Sequence, residues 1–273
     1  PFKPLASVQN TSHNKIRRNF KIHQYGETIK KTMKNILITG ISRGLGCEIA
    51  KKVLSEGNTV YGISRTLSSE LKKLDGDFPG KLKLLQFDLS DTDGILKSVF
   101  KDFVGMDTPL HGYVNNAAIA YDDIATNIKM PPLLEMYKVN VFSPMIMAKY
   151  AIRNFILHNT KGSIVHISSI SVHTGYKGLS MYASTKGAIE AFSKNISREW
   201  GIRGIRSNAV VAGFMETSMS ASLTPEQKRK IFNRTSLKTQ TSVESVAATV
   251  DFLLSDSAQS ITGQNIFVDS GTI

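Results

Sequence analysis

Cysteine is almost absent from this sequence, with Cys47 the single example among 273 residues. One cysteine excludes a disulfide within the chain and a metal site built from several cysteines, and it favours a reducing compartment. Long apolar runs are also absent, since none approaches the roughly 18 residues that cross a bilayer. We therefore expect no metal, no membrane partner and a cytoplasmic location, with import into an organelle left open.

Acidic residues are scarce relative to basic ones, with 22 against 34, and the net charge is +12. Residues 1–32 hold seven lysines and arginines and one acid, so half of the excess lies in this basic arm. The remaining residues are mildly basic, which fits an anionic small molecule or an acidic protein as well as nucleic acid. We expect no nucleic-acid partner.

The basic arm, residues 1–32, lacks a regular apolar period. It is interpreted as a targeting remnant, a linker from an upstream domain or added sequence. From Met33 onward, short apolar runs alternate with amphipathic stretches, without an internal repeat or interdomain linker. The predicted division is therefore the arm, 1–32, and one domain, 33–273.

The alternation predicts an α/β fold: a single doubly wound, Rossmann-type domain with a seven-stranded parallel sheet. The predicted strands are 34–39, 59–63, 82–87, 111–115, 163–168, 205–210 and 265–268, and the predicted helices are 45–56, 92–104, 132–157, 181–200 and 242–254. In such sheets a ligand lies across the carboxyl ends of the strands, where the strand order reverses.

A glycine-rich stretch, "TGISRGLG" at 39–46, follows the first predicted strand. Gly40, Gly44 and Gly46 would let the backbone turn sharply and approach a pyrophosphate on the next helix N-terminus. The alternative is a strand–helix turn without a ligand. The predicted strand before it and helix after it favour dinucleotide binding.

The end of the second predicted strand indicates which dinucleotide binds. It reads "GISRT", with Ser64 and Arg65 where an acidic residue would select an unphosphorylated ribose. Arg43 in the glycine-rich stretch adds a second cation. These groups suit a 2′-phosphate and favour NADP(H). The alternative is that Arg65 is only a surface residue that contacts water at the end of the strand.

Tyr182 and Lys186 lie four positions apart in the predicted helix 181–200. Both fall near its apolar stripe, which is formed by Ile189, Phe192, Ile196 and Trp200. Lysine is rarely buried without a partner, so this lysine either reaches past the stripe to water or has a functional reason to be there.

Five motifs in order resemble the short-chain dehydrogenase/reductases across residues 34–270: "TGISRGLG", "NNAA", Asn140 in "YKVNV", "HISS" and "YASTK". The resemblance implies that Tyr182 is the general acid/base, Lys186 its cationic neighbour, Ser169 the hydroxyl that polarises a carbonyl and Asn140 the fourth member. Ser169 lies thirteen residues before the tyrosine, the family's usual interval.

In a ketone reduction, the developing alkoxide needs a proton. Tyrosine, with a pKa near 10, is a poor donor at neutral pH, and we expect the Lys186 ammonium to lower that pKa. Ser169 would donate toward the same oxygen.

The resemblance also implies an NADP(H) site that includes Asp88 at the adenine and Thr217 near the nicotinamide amide. The predicted cofactor-binding residues are Gly40, Ser42, Arg43, Gly44, Leu45, Gly46, Ser64, Arg65, Asp88, Leu89, Asn115, Ala117, Tyr182, Lys186, Gly213 and Thr217.

The C-terminal third, "IRSNAVVAGFMETSM" and "SVESVAATVDFLLSDSAQSITGQNIFVDSG", is similar to bacterial 3-oxoacyl-[acyl-carrier-protein] reductases. That likeness implies a ketone or acyl thioester substrate, a substrate lid at 214–235 and acyl carrier protein as a partner, docked on Lys161 and Arg203. The chain departs from this family at three places. Ala212 stands where the family commonly has proline, "NNAA" stands in place of "NNAG", and "VDSG" stands in place of "VDGG". These departures leave the acyl-carrier assignment open.

Two other functions stay open: an NADP-dependent dehydrogenase or reductase of a small polar alcohol, sugar or nucleotide sugar, and a non-catalytic NADP-binding regulator. The four catalytic residues weigh against the regulator. His173 and Lys177 are interpreted as surface residues or as contacts to an anionic substrate. The resemblance implies a homotetramer paired through helices 132–157 and 181–200.

Overall fold

The computed structural model describes residues 33–216 and 224–273. The predicted basic arm and Thr217 lie outside these ranges. The described residues belong to one compact unit that begins at Met33.

Seven strands form one sheet in the described residues, in the order β3-β2-β1-β4-β5-β6-β7, and every neighbouring pair is parallel. Their bounds are Asn35–Thr39 (β1), Thr59–Ser64 (β2), Leu82–Gln86 (β3), Gly112–Asn115 (β4), Ser163–Ser169 (β5), Arg206–Ala212 (β6) and Asn265–Val268 (β7). The predicted doubly wound, seven-stranded parallel fold is confirmed. Strand order reverses between β1 and β4, so the carboxyl ends of these strands border the crevice where ligands bind in such folds.

The helices lie on both faces of the sheet. The α-helices are Gly44–Ser55 (α1), Ser69–Asp77 (α2), Met130–Tyr137 (α3), Ser143–Leu157 (α4), Ser180–Trp200 (α5), Pro225–Phe232 (α6) and Val243–Leu254 (α7), the π-helical segments are Ile95–Val104 and Lys138–Phe142, and short 3₁₀ turns occupy Ala125–Asn127, Ile170–Val172, Gly201–Arg203 and Asp256–Ala258. No helix in the described ranges is long and apolar enough to span a membrane.

Two apolar cores hold these layers together. One joins the sheet to α1, α2 and α7, with Ile49, Val53 and Val250 fully buried. The other joins it to the π-helical segment Ile95–Val104, α4 and α5, with Met147 and Phe155 fully buried. Each such side chain contributes about 1.5–3 kcal/mol relative to an exposed one. The sheet is thus packed on both faces. This packing fixes the strand ends and, with them, the positions of the loops at both edges of the sheet.

Two helices are additions to the predicted set. α2 buries only Leu71 and Leu74, and its N-cap Ser68 accepts a hydrogen bond from the Leu71 amide at 3.2 Å. α6 buries no residue and lies within 214–235, the segment expected to be a lid. Both helices contain few apolar residues, which hides them from the sequence pattern.

Candidate active site

The glycine-rich turn after β1 has the backbone geometry that its glycines predict. Gly40 and Gly44 have φ of +73° and +58°, a region that L side chains rarely adopt. A Cβ on Gly46 would lie 2.0 Å from the Gly40 carbonyl oxygen, so only glycine fits there. The turn leads directly into the N-terminus of α1, where backbone N–H groups favour an anion.

The neighbouring strand β4 holds this turn in place. Asn116 Nδ2 donates to the Thr39 and Gly40 carbonyl oxygens, both at 3.0 Å. Thr39 Oγ1 in turn accepts from the Asn116 and Ala117 amides at 3.2 Å. Asn116 was not among the predicted site residues, although the second asparagine of "NNAA" was a usable signal. Its amide bridges the two strands that flank the crevice.

A cavity of about 430 Å³ opens at the ends of β2 and β3, lined by Arg65, Gln86, Phe87 and Asp88. Hydrogen bonding from the Ser90 backbone, helped by the Arg65 charge, lowers the pKa of Asp88. The cavity therefore combines an anionic carboxylate, an exposed guanidinium and a partly buried aromatic residue in its lining, a combination that suits an adenosine phosphate. Gln86 and Phe87 were not predicted, because each is unremarkable in sequence.

The other predicted phosphate contacts differ in exposure. Arg43 is an exposed residue at the N-cap of α1, on the same edge as Arg65. Ser64 is buried and its hydroxyl donates to the Thr66 carbonyl at 2.8 Å. The Ser42 carbonyl accepts from Ser68 Oγ at 2.5 Å, which joins the turn to α2. The two arginines remain the groups free to meet a 2′-phosphate from solvent.

The remaining cofactor-site predictions lie deeper. Leu45 and Leu89 are in the apolar cores, so their backbones rather than their side chains face the crevice. Asn115 is buried, with Nδ2 3.3 Å from Nδ1 of His166, whose pKa burial lowers to about 3. Gly213 is buried after β6, where a Cβ would lie 2.2 Å from Thr241 Oγ1.

Asn140 lies in a π-helical turn between α3 and α4. The Ser143 amide donates to the Lys138 carbonyl, five residues back, so the turn carries one extra residue. Asn140 exchanges two hydrogen bonds with the Ile119 backbone, at 2.9 and 2.8 Å, and donates to Thr185 Oγ1 at 3.1 Å. Its side chain thus joins the loop after β4 to α5.

The two serines at the end of β5 have opposite surroundings. Ser168 is buried and its hydroxyl donates to the Glu190 carboxylate. Ser169 is partly exposed and caps the 3₁₀ turn Ile170–Val172, accepting from the Ser171 amide at 3.2 Å and the Ser171 hydroxyl at 3.0 Å. Ser169 is therefore the more accessible of the two serines.

Lys186 is a buried lysine, with 3% of its surface exposed. Its Nζ donates to the Ile167 carbonyl at 2.8 Å and lies 5.6 Å from the centroid of the Tyr182 ring. Burial lowers its pKa to about 8. The alternative of a lysine that reaches past the apolar stripe to water is wrong, since the ammonium is held beneath the tyrosine by a strand carbonyl.

The expected acidification of Tyr182 is not what its surroundings produce. Burial raises the pKa of this phenol, and the negative charge of Asp122 raises it further. The ammonium of Lys186 directs its hydrogen bond to Ile167 and does not offset the loss of water. Around neutral pH the phenol therefore carries its proton, although its raised pKa makes it a weaker acid than an ordinary tyrosine.

The expected acyl carrier patch lies at the wrong edge. Lys161 and Arg203 precede β5 and β6, so they lie at the amino ends of strands whose carboxyl ends border the crevice. His173, by contrast, binds the Glu190 carboxylate, with Nε2 2.9 Å from Oε2. Lys177 is exposed on the loop before α5.

The residues at this edge fit a phosphorylated dinucleotide. The glycine-rich turn would receive the pyrophosphate, and the cavity at Arg65 would receive the adenosine half. Lys186, Tyr182 and Ser169 would surround the nicotinamide half. The described residues contain no group of three or more His, Cys, Asp or Glu side chains placed to hold a metal ion.

Comparisons with known proteins agree with this geometry. A family model described as "Enoyl-(Acyl carrier protein) reductase" matches residues 40–272. Carbonyl reductase [NADPH] 2 of Sus scrofa is 32% identical over 86% of this chain and 94% of its own length. L-xylulose reductase of Caenorhabditis elegans is 31% identical over 88% and 96%. The 3-oxoacyl-[acyl-carrier-protein] reductase FabG of Aquifex aeolicus is 33% identical over 89% and 98%.

Among solved structures, "ElxO with NADP Bound" superposes with a TM-score of 0.81 at 26% identity, covering 88% of this chain and 99% of that one. The sheet topology, the glycine-rich turn, the cavity at Arg65 and these relatives lead to the same conclusion. The chain belongs to the short-chain dehydrogenase/reductase family and is an NADP-dependent oxidoreductase that acts on CH–OH or C=O groups.

Proposed function

We propose that the protein uses NADPH to reduce a ketone to a secondary alcohol, and that the ketone belongs to a 3-oxoacyl thioester. The observation that carries the reductive chemistry is the buried Lys186 ammonium beneath Tyr182, at the edge where Ser169 is accessible. An uncompensated cation is rarely buried without a functional reason. The relatives named 3-oxoacyl-[acyl-carrier-protein] reductase support the thioester.

Each of the four polar residues has one task in this proposal. Bound NADPH would supply the hydride. The Tyr182 phenol donates its proton to the carbonyl oxygen as charge develops there, and the Ser169 hydroxyl donates a hydrogen bond to the same oxygen. Lys186 stabilises the phenolate that remains, because an opposite charge favours the ionised form. Asn140 binds both the Ile119 backbone and Thr185 Oγ1, and it thereby fixes the loop after β4 relative to α5.

The protonation state of Tyr182 matches the form that ketone reduction needs. Since burial raises the pKa of Tyr182, the phenol enters the reaction protonated. A protonated phenol can complete an alcohol from a ketone, whereas oxidation needs the phenolate first. The rate of the oxidation should therefore rise with pH, while reduction proceeds near neutral pH.

Apolar side chains near the site support a substrate with an acyl chain. Ile124, Ile128 and Met130 are 42%, 45% and 57% exposed and belong to the segment that follows β4. This segment is joined to the loop before α5 by the hydrogen bond from the Asp123 amide to the Gly178 carbonyl, at 3.0 Å. An acyl chain on these residues would leave its ketone near Tyr182.

The proposal is tested by following NADPH oxidation with purified protein and a panel of acetoacetyl thioesters, ketoses and simple ketones. We expect turnover of the thioester with NADPH. The Tyr182→Phe variant should still bind NADPH but turn nothing over. Tyr150→Phe, on α4 away from the site, is the matched control and should keep full activity. Equal activity of the two variants would contradict the role of Tyr182.

A sugar or polyol reductase is the second candidate. Asp122 lies close enough to Tyr182 for its charge to act on the phenol, and a carboxylate beside the reacting carbonyl would accept hydrogen bonds from a polyol. The relative named L-xylulose reductase supports this alternative. Ketose reduction without thioester reduction in the same panel would select it. NADPH binding without turnover of any compound would select a non-catalytic binding protein.

We also propose that the protein assembles through α4 and α5 into a homotetramer. Phe142, Ile156 and Leu157, in the π-helical turn and α4, are 45%, 40% and 62% exposed, which is unusual for several large apolar side chains on one continuous helical rod. Light scattering coupled to size-exclusion chromatography measures the mass directly. A monomer at micromolar concentration would contradict this assembly.

A further inference from the structure

A buried carboxylate lies next to the candidate site, and the proposed reaction gives it no task. Glu190 is in α5, one turn beyond Lys186, and its side chain is 8% exposed. Ser168 Oγ donates to one carboxylate oxygen. His173 Nε2 lies 3.1 and 2.9 Å from the two oxygens, and Asn265 Nδ2 donates at 2.6 Å.

These contacts satisfy the carboxylate. A carboxylate only accepts hydrogen bonds, so the imidazole nitrogen that faces it must carry a hydrogen. Three donors from three elements therefore converge on Glu190: the end of β5, the loop after it and β7. The His173 ring also packs edge-to-face on Phe267, with centroids 4.8 Å apart. Hydrogen bonds to a charged group in a buried place are among the stronger ones in proteins.

The position of this cluster relative to Ser169 is informative. Ser168 directly precedes Ser169, and His173 follows it by four residues. The 3₁₀ turn between them, Ile170–Val172, begins at Ser169. Glu190 therefore holds both ends of the short segment that presents the Ser169 hydroxyl to the crevice.

The same helix also holds the strand end at a second point. Lys186 binds the Ile167 carbonyl at 2.8 Å, and Glu190 binds Ser168, the next residue. Since Lys186 and Glu190 are one helical turn apart, the two contacts fix the rotation of the strand end against α5. This helix also carries Tyr182, so Ser169 and the phenol keep a constant relative position.

We propose that Glu190, acting through Ser168 and His173, is a positioning residue that sets the Ser169 hydroxyl relative to Tyr182. This inference rests on the proposed function, in which Ser169 donates to the reacting oxygen. A purely structural role is the competing explanation. A well-packed apolar side chain would serve that role equally well, because buried ion pairs are often replaced by apolar residues without loss of stability.

The experiment is a double-mutant cycle on acetoacetyl thioester reduction with Ser169→Ala, Glu190→Gln and the double variant. Glu190→Gln keeps the volume of the side chain and removes its charge. We expect kcat to fall by about tenfold in Glu190→Gln, with the dissociation constant of NADPH changed by less than about twofold. If Glu190 acts through Ser169, the double variant should be no more than about twofold slower than Ser169→Ala alone. Glu199→Gln, an exposed position in the same helix, is the matched control.

A second measurement needs no turnover. Hydrogen–deuterium exchange reports on the amides of Ser171, His173 and Thr174, which donate to Ser169 Oγ or to the Ile170 carbonyl. In Glu190→Gln without NADPH, we expect these amides to exchange at least about tenfold faster, while the rest of α5 is unchanged. His173→Gln, which keeps a donor, should exchange more slowly than His173→Ala.

The outcomes separate the two proposals. Multiplicative losses in the double variant, or unchanged exchange in the segment 168–174, would overturn the positioning role while leaving the proposed function intact. No turnover of any ketone by the unmodified protein would overturn the proposed function. Full activity in Ser169→Ala would leave ketone reduction intact and overturn the step by which Glu190 affects catalysis. Non-additive losses together with faster exchange would establish the positioning role.

Discussion

The replacement Lys186→Met tests the energetic meaning of the buried ammonium. Burial lowers the pKa of Lys186 from 10.5 to about 8. Each pKa unit corresponds to about 1.4 kcal/mol, so at pH 7 the folded protein holds the protonated lysine at a cost of about 3 kcal/mol. Removing the ammonium removes that cost. It also leaves the Ile167 carbonyl without its 2.8 Å donor, which costs about 1–3 kcal/mol.

The net result at pH 7 is an inactive protein that is more stable than the original by about 1 kcal/mol, or about 2–4 °C in Tm. The sign of this difference in stability changes with pH. Between pH 8 and 10.5 the unfolded chain binds the lysine proton and the folded chain does not, so this contribution to stability rises with pH. At pH 10 only about 1 kcal/mol of the burial cost remains, and the variant should be the less stable protein.

Urea denaturation without NADPH at pH 7 and pH 10 measures this difference in the free energy of unfolding. The difference between Lys186→Met and the original should change by about 2 kcal/mol between the two pH values. Lys194→Met, at an exposed position of the same helix, is the control and should differ from the original by less than about 0.5 kcal/mol at both. A difference for Lys186→Met that does not vary with pH would refute the reasoning.

Three further predictions concern cofactor and proton transfer. Arg65→Ala should weaken NADPH binding by about tenfold and leave NADH binding unchanged, because only NADPH carries the 2′-phosphate that we propose this guanidinium binds. Fluorescence titration with both cofactors measures this, and equal losses would contradict it. Gly46→Ala places a methyl 2.0 Å from the Gly40 carbonyl oxygen and 2.5 Å from Asn116 Nδ2. We therefore expect the free energy of unfolding to fall by about 1–3 kcal/mol and NADPH binding to be poor. Thermal unfolding with and without cofactor measures both effects. Because burial raises the pKa of Tyr182, the rate of alcohol oxidation should still be rising at pH 9 while ketone reduction is not, and pH–rate profiles in both directions check this; matching profiles would contradict it.

The sequence predicts strands better than helices in this protein. The five inner strands are short apolar runs buried on both sides, which stand out against their neighbours, and the edge strands β3 and β7 are partly exposed. The α6 helix has no buried residue, so no apolar stripe marks it. The signal that was available is its capping box: Thr224 and Gln227 exchange hydrogen bonds, with Pro225 at the first helical position.

The candidate site also has some features that the sequence predicts and others that it does not. The glycines and Arg65 follow from residue type and position alone, because backbone conformation and charge are local properties. The hydrogen bond from Ser168 to Glu190 is not local, since it depends on how α5 packs against β5. The pKa of Tyr182 was expected in the wrong direction because neighbouring charge is visible in a sequence, whereas loss of water is a property of the folded protein.

The π-helical turn at Lys138–Phe142 constrains how this region can change by insertion or deletion. Each residue advances a helix by about 100°. The π-helical turn takes up one extra residue without this rotation, so the residues after it keep the faces they would have in an uninterrupted α-helix one residue shorter. If the same residues formed a regular α-helix instead, Met147, Ala151 and Phe155, which are fully buried, would rotate by that angle away from the core. A homologue that lacks the extra residue could therefore keep the apolar pattern of α4, whereas a further insertion would require a new one.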